Sequence, residues 1–368
     1  MIKVLVAGTA NPHMPGYLRR FAESFRKNDL YQFIAIADHD AGRLANDQTI
    51  LKDIPVKYYL SWKEMIDRHP EAEAIIIGTD NPEHIHVFRY AVQKHLHIYM
   101  MKVISTSEAE CREMLEMEKT YDRVIQVELE LHFSPQFRDA RELVQSGRLG
   151  KLRSIYVSNI SQSPCNYFPN WGTPELSWGE RIPVRPGSKT CRGGGLTDHP
   201  HPIDMVRWVT GHEFATVHAV CARNQRDYLE VEDNIILCGE LDDGTKYMIN
   251  PSYAHLEEHV PVRRLLWPKA LECNLKLNGE KGFYTCDYNT HPLYVVGKGH
   301  ASPDRLMLDG CPGYPGVNGR GMFDLFCDCI NGKLDKPEVT LDNSYQAVRV
   351  MNAAYESAYS GKTVRLRS

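Results

Sequence analysis

From residue 1 to about 130 the chain alternates short apolar runs with amphipathic stretches, a rhythm that admits few architectures. The runs IKVLVAG, FIAIAD, VKYYL, AEAIIIGT, HIYMMK and RVIQVEL have the length and composition of buried strands. Between them lie GYLRRFAESFRKN, SWKEMIDRH, EHIHVFRYAVQKH and SEAECREMLEMEKTY, which carry apolar residues at helical spacing. Strands joined by helical crossovers pair in parallel, so residues 1–130 are expected to form a doubly wound sheet, the first domain.

The rhythm then changes. After PQFRDARELVQSGRLG, a helix closed by Gly147 or Gly150, come longer alternating segments: LRSIYVSNIS, ATVHAVCARN, NIILCGELDDGTKYMINPSYAHL and ALECNLKLNGEKGFYTCD. DDGT and NGEKG are hairpin turns in which glycine permits positive φ. Residues 131–368 are therefore expected to form an α+β domain on a large, mostly antiparallel open sheet, ending in the helix NSYQAVRVMNAAYESAYSG. That helix has the option of packing back on the first domain. The aromatic, Pro- and Gly-rich stretch 161–192 is expected to be a functional lid.

The chain has 368 residues, 42% hydrophobic, enough to bury two cores. A net charge of −4 and the lack of long Lys/Arg runs argue against nucleic acid as a partner. No apolar stretch approaches the roughly 18 residues of a membrane helix, and strand text begins at once, so a soluble, cytoplasmic protein is expected. Ten scattered cysteines lack metal-ligand spacing and are expected to be buried thiols, with no zinc site.

In a doubly wound sheet a dinucleotide binds at the carboxyl ends of the strands, its pyrophosphate against the first helix. Here that turn is AGTANPHMPG. Gly8 fills the first glycine position, while Ala10 and His13 stand in place of the second and third. Asp38 closes the second strand, where an acid can accept both hydroxyls of an adenosine ribose and repel a 2′-phosphate. NAD rather than NADP is the expected cofactor. Thr79, Asn81, His84 and Lys102 follow the fourth and fifth strands on the same side. A lysine ending a buried apolar strand is costly without a partner, which marks Lys102 as functional.

In GGGLTDHPHPIDMVRWVTG, Asp198, His199, His201 and Asp204 fall within seven residues. Taken alone they fit a Pro-rich helix entry, with Asp198 as cap and Asp204 supporting the helix dipole. The block IIIGTDNPEHIHVFRYAVQKHLHIYMMKVIST, however, resembles the TPNxxH, GKHV and EKP signature of the glucose-fructose oxidoreductase, inositol dehydrogenase and rhizopine-catabolism (Gfo/Idh/MocA) family. Thr79, Asn81 and His84 match TPNxxH, and Lys102 matches the lysine of EKP. The GGG segment is similar to the family's catalytic GGGxxxDxxxHxxD pattern, with His201 and Asp204 matching its last two positions. Asp198 matches the first acid, displaced by one residue.

The resemblance implies a Rossmann-like first domain and an NAD-dependent oxidoreductase acting on a sugar, glycoside or polyol hydroxyl. It implies His201 as base, Lys102 as electrostatic partner and Asp198 as orienter, with Gly8, Ala10, Asp38, Thr79, Asn81, His84 and Lys102 around the cofactor. His199, His132, Glu130, Trp178 and Arg192 are expected at the substrate, and a homodimer or homotetramer through the exposed sheet face. The chain departs from the pattern at the degraded glycine fingerprint, at Met101 and Val103 flanking Lys102, and at His132, where a basic residue is usual.

Those departures motivate two alternatives. One is a lyase or hydrolase that keeps NAD bound and recycles it; the other is a non-catalytic sugar or dinucleotide sensor. Glu130, His132, Asp198, His199 and His201 could also surround a divalent ion if Glu130 and His132 alternate on a strand, but no metal is expected.

Overall fold

The structure, a computed structural model, describes residues 1–11, 13–27, 29–160, 194–221, 232–253, 272–287, 293–296, 316–317 and 320–366. The expected lid at 161–192, with Trp178 and Arg192, lies outside them. The chain divides into two units, the first built on Met1–Leu129 and Arg320–Tyr345, the second beginning at Glu130 and resuming at Gln346.

The first unit holds six parallel strands, β1 (Ile2–Ala7), β2 (Tyr31–Ala37), β3 (Lys57–Tyr59), β4 (Ala74–Ile77), β5 (His97–Met101) and β6 (Ile125–Glu128), in the order β3-β2-β1-β4-β5-β6. Five helices connect them: α1 (Met14–Ser24), α2 (Ala41–Ile50), α3 (Trp62–Arg68), α4 (Asn81–Gln93) and α5 (Glu108–Glu118). The strands expected from the apolar runs are all present. Every residue of β4 and β6 is buried, as a sheet covered on both faces requires. Phe21, Tyr31, Phe33, Tyr99, Phe323 and Phe326 pack edge-on, tilted or stacked around one another, so the helix Met322–Ile330 extends this core. Asp40 caps α2 by accepting from the Gly42 and Arg43 amides.

In the second unit a 3-10 turn, Glu130–Phe133, leads into α6 (Pro135–Gln145). The sheet that follows is β7 (Leu152–Ile160), β8 (Thr216–Cys221), β9 (Ile235–Glu240), β10 (Lys246–Ser252), β11 (Glu272–Gly279), β12 (Gly282–Asp287), β13 (Leu293–Val296) and the closing Val364–Arg365. Their order is β13-β12-β11-β7-β10-β9-β8 and then Val364–Arg365. All neighbours are antiparallel except β7 and β10. Ile155, Val157, Leu237, Ile249 and Leu275 are buried on one face. Tyr156, Ile236, Met248 and Val220 are exposed, with Met248 paired to Tyr156 and Val220 to Ile236. The segment bearing the histidine cluster forms α7 (Gly194–Asp198) and α8 (His201–Thr210), the latter ended by Gly211 in the left-handed region.

Candidate active site

In the first unit the candidate cofactor residues gather at the carboxyl ends of β1, β2, β4 and β5. The β1–α1 turn is held from several sides: the Gly8 amide donates to Ala37 O, and the Asn11 amide to Gly78 O. Gly8 has φ +84, and a Cβ there would fall 2.5 Å from the Thr79 backbone. Glycine is thus needed for both torsion and close approach, the requirement of a dinucleotide turn. The missing second and third glycines are replaced by side-chain ties, since Asn11 Oδ1 accepts from the His13 amide and Asn11 Nδ2 donates to Lys102 O.

Asp38, 3% exposed, follows β2 directly. It accepts from the Thr9 amide at 2.8 Å, the Asp40 amide at 2.8 Å, and Arg43 Nε and Nη2 at 3.0 and 2.7 Å. The Arg43 guanidinium thus sets a positive charge directly against this carboxylate. The Arg43 pairing was not foreseen, although an Arg five residues after a strand-ending Asp is the signal that could have revealed it.

Asp80, the residue before α4, is pushed up to about 6 by burial, against the pull of Arg43. Asp47 of α2 is also buried, hydrogen-bonded to the Thr9 hydroxyl at 2.8 Å, and burial pushes it up to about 7. Its spacing of three from buried Leu44 puts both on the inner face of α2.

Lys102 follows β5 and is 2% exposed. The turn it occupies is pinned by its neighbours: Asn81 Nδ2 donates to Val103 O at 3.1 Å, and His84 Nδ1 lies 3.0 Å from the same oxygen. His84 Nε2 lies 3.0 Å from Thr79 O. Burial lowers His84 to about 4, so the ring is neutral. Both its nitrogens face backbone carbonyls and it is completely buried. His84 therefore ties the β4–α4 turn to the Lys102 turn.

In the second unit Glu130 and His132 belong to the turn Glu130–Phe133, so the expected alternation along a strand is corrected. His132 is buried, its Nε2 2.6 Å from Asp204 Oδ2 and its ring stacked on Trp208 at 4.4 Å. His201 Nε2 stands 3.7 Å from Glu130 Oε1. Asp198 Oδ2 stands 3.4 Å from His199 Nδ1. Asp198 ends α7, and α8 has no side-chain cap, so Asp198 is not the cap of the helix bearing His201.

The α7 entry is clamped by residues that sequence inspection missed. Glu232 Oε1 accepts from the Leu196 amide at 2.8 Å and from Tyr355 Oη at 2.6 Å. Gly194 has φ +85, and a Cβ there would overlap the Glu232 carboxylate. Burial pushes Glu232 up to about 7. Tyr253 packs edge-on against His199 and donates to Gly194 O. No spacing signal connects Glu232 or Tyr355 to the GGG segment.

A cradle closed by Gly8, a first-helix N-terminus and a buried acid after β2 fit a dinucleotide. Comparison with known proteins agrees. Residues 2–129 match the model of the oxidoreductase family with NAD-binding Rossmann fold, and residues 137–285 match that of the GFO/IDH/MocA C-terminal domain. The chain belongs to the Gfo/Idh/MocA oxidoreductases.

It is 23% identical over 298 residues to an uncharacterised oxidoreductase of Streptococcus pneumoniae, covering 77% of this chain and 73% of that one. It is 27% identical over 213 residues to inositol 2-dehydrogenase of Leifsonia xyli, covering 57% and 55%. In fold it is similar to the WlbA dehydrogenase of Bordetella pertussis in complex with NADH and UDP-GlcNAcA: TM-score 0.73, 17% identity, with 100% and 99% of the chains covered. Among the described residues no helix is long and apolar enough to cross a membrane.

Proposed function

We propose that this oxidoreductase transfers a hydride between a hydroxyl-bearing carbon of a sugar, glycoside or polyol and NAD. The observation that carries the reading is the buried Lys102, fixed after β5 in an NAD-binding domain of this family. The relatives named inositol 2-dehydrogenase and the fold neighbour with a bound nucleotide sugar support the substrate class.

When bound, the nicotinamide accepts the hydride. His201 takes the hydroxyl proton, because a neutral imidazole is a competent base near pH 7. Glu130, within ion-pairing reach of His201 Nε2, stabilises the imidazolium that results. Lys102 stabilises the negative charge that develops on the substrate oxygen. Asp198 acts through His199, which binds a substrate hydroxyl, and His132 holds Asp204 and α8 in place. Asp38 favours NAD by binding the adenosine ribose.

Pairing of the exposed face bearing Tyr156, Val220, Ile236 and Met248 makes the protein a homo-oligomer. Work in the cytoplasm fits the free thiols among the described cysteines. The test is substitution: Lys102→Met and His201→Ala should each lower kcat at least about 100-fold while NADH binding persists. Unchanged kcat in either would refute its role.

A further inference from the structure

Thr9 has one hydroxyl proton and two carboxylate oxygens within reach, Asp47 Oδ2 at 2.8 Å and Asp38 Oδ2 at 3.3 Å. If both acids were ionised, only one of these contacts could be a hydrogen bond. One added proton satisfies both: Asp47 donates to Thr9 Oγ1, and Thr9 donates to Asp38. The surroundings decide which acid holds it. Asp38 receives two backbone amides and the Arg43 fork, so both its oxygens already serve as acceptors. Asp47 is 1% exposed with the Thr9 hydroxyl as its hydrogen-bond partner among the described residues, which favours its neutral form.

We propose that Asp47 sets this chain's choice between NAD and NADP, tolerating the 2′-phosphate only while Asp47 holds its proton on the Thr9 hydroxyl. With Asp47 neutral, Asp38 and Arg43 cancel, and the 2′-phosphate meets no net negative charge from the three side chains. Arg43, already beside the ribose acid, is then a cation for it. When Asp47 loses its proton, Thr9 turns its hydroxyl to Asp47. That withdraws one donor from Asp38, leaving an acceptor position for a ribose hydroxyl, and adds a negative charge that opposes a phosphate dianion. NAD binding is preserved or improved while NADP binding weakens.

The titratable groups facing Asp47 are Asp38 after β2, Arg43 on its own helix and Tyr58 of β3. The helix α1, which also packs on α2, adds no charged partner to these. Burial places the transition near neutrality, at about 7. The inference rests on the dinucleotide reading of the first unit.

The test is nicotinamide-fluorescence titration of the full chain with NADH and NADPH at pH 6 and 8 and fixed ionic strength, for wild type, Asp47→Asn and Thr9→Val. The 2′-phosphate itself titrates near pH 6, so Asp47→Asn supplies the baseline. In wild type the NADPH-to-NADH Kd ratio should rise at least about fivefold more between the two pH values than in Asp47→Asn. Thr9→Val, which removes a bond to the charged form, should move the change to higher pH.

Equal pH dependence in wild type and Asp47→Asn, with NADH bound by both, would overturn this inference alone. Failure of both dinucleotides to bind wild type would overturn the cofactor reading and this inference with it. If Asp47→Asn does not fold, the 13C shift of the Asp47 carboxyl in wild type decides: titration near neutrality upholds the inference, titration near its ordinary value of 3.8 overturns it.

Discussion

Asp204 accepts a 2.6 Å hydrogen bond from His132, and Trp208 lies flat against the same imidazole. The pair joins the turn Glu130–Phe133 to the first turn of α8, the helix that begins at His201. Both side chains are buried, so removing one leaves the other's polar atom unpaired in a low-dielectric interior. His132→Ala should destabilise the protein by about 2–4 kcal/mol, through a lost bond to a buried carboxyl group and a lost ring contact. Denaturant unfolding checks this, and a loss below about 0.5 kcal/mol would contradict it.

Gly194→Ala should disturb the histidine-bearing segment itself. The new methyl group would need a left-handed torsion and the space of the Glu232 carboxylate. The combined cost is about 2–4 kcal/mol. A thermal shift smaller than that of an exposed Gly332→Ala substitution, also at positive φ, would show that the clamp is not formed.

The Glu232 acid fixes a pH dependence of stability. Its folded value, about 7, lies above the ordinary 4.5, so the native state binds the extra proton. The stability this confers is complete below about 4.5 and is lost as pH rises through about 7. Glu232→Gln keeps an acceptor for Leu196 and Tyr355 without an ionisation. Relative to wild type it should gain on the order of 3 kcal/mol between pH 5 and pH 8. His84 acts with the opposite sign: its folded value of about 4 lies below 6.5, so its contribution is present above 6.5 and lost as pH falls through 4. Melting curves across pH 4 to 8 check both.

The exposed face of the second sheet should be covered in solution. Met248→Glu with Val220→Glu would bring charge onto β10 and β8 without touching the buried face. The double variant should fall to a smaller species in light scattering coupled to size exclusion. A wild-type monomer would contradict the oligomer.

Much of the fold was legible because it follows from periodicity. The six apolar runs of the first unit could only be parallel strands once helical text separated them, and DDGT and NGEKG placed the hairpins. The candidate site was legible where spacing is short, as at Asp198 to Asp204 and Thr79 to His84. Partnerships across long separations were not. Glu232 closes on Gly194, and Asp204 pairs with His132; each depends on tertiary contacts that no local pattern encodes. LELHF alternates as a strand does, whereas the chain turns at Glu130 and His132 to enter α6.

The most direct test of the account is absorbance at 340 nm, with added NAD, against a panel of sugars, glycosides and polyols, together with assay of nucleotide released on denaturation. Steady NADH formation is expected with at least one member of the panel, in stoichiometric step with oxidised product. Product without net NADH, from protein carrying bound NAD, would contradict it and establish a cofactor-recycling lyase or hydrolase instead.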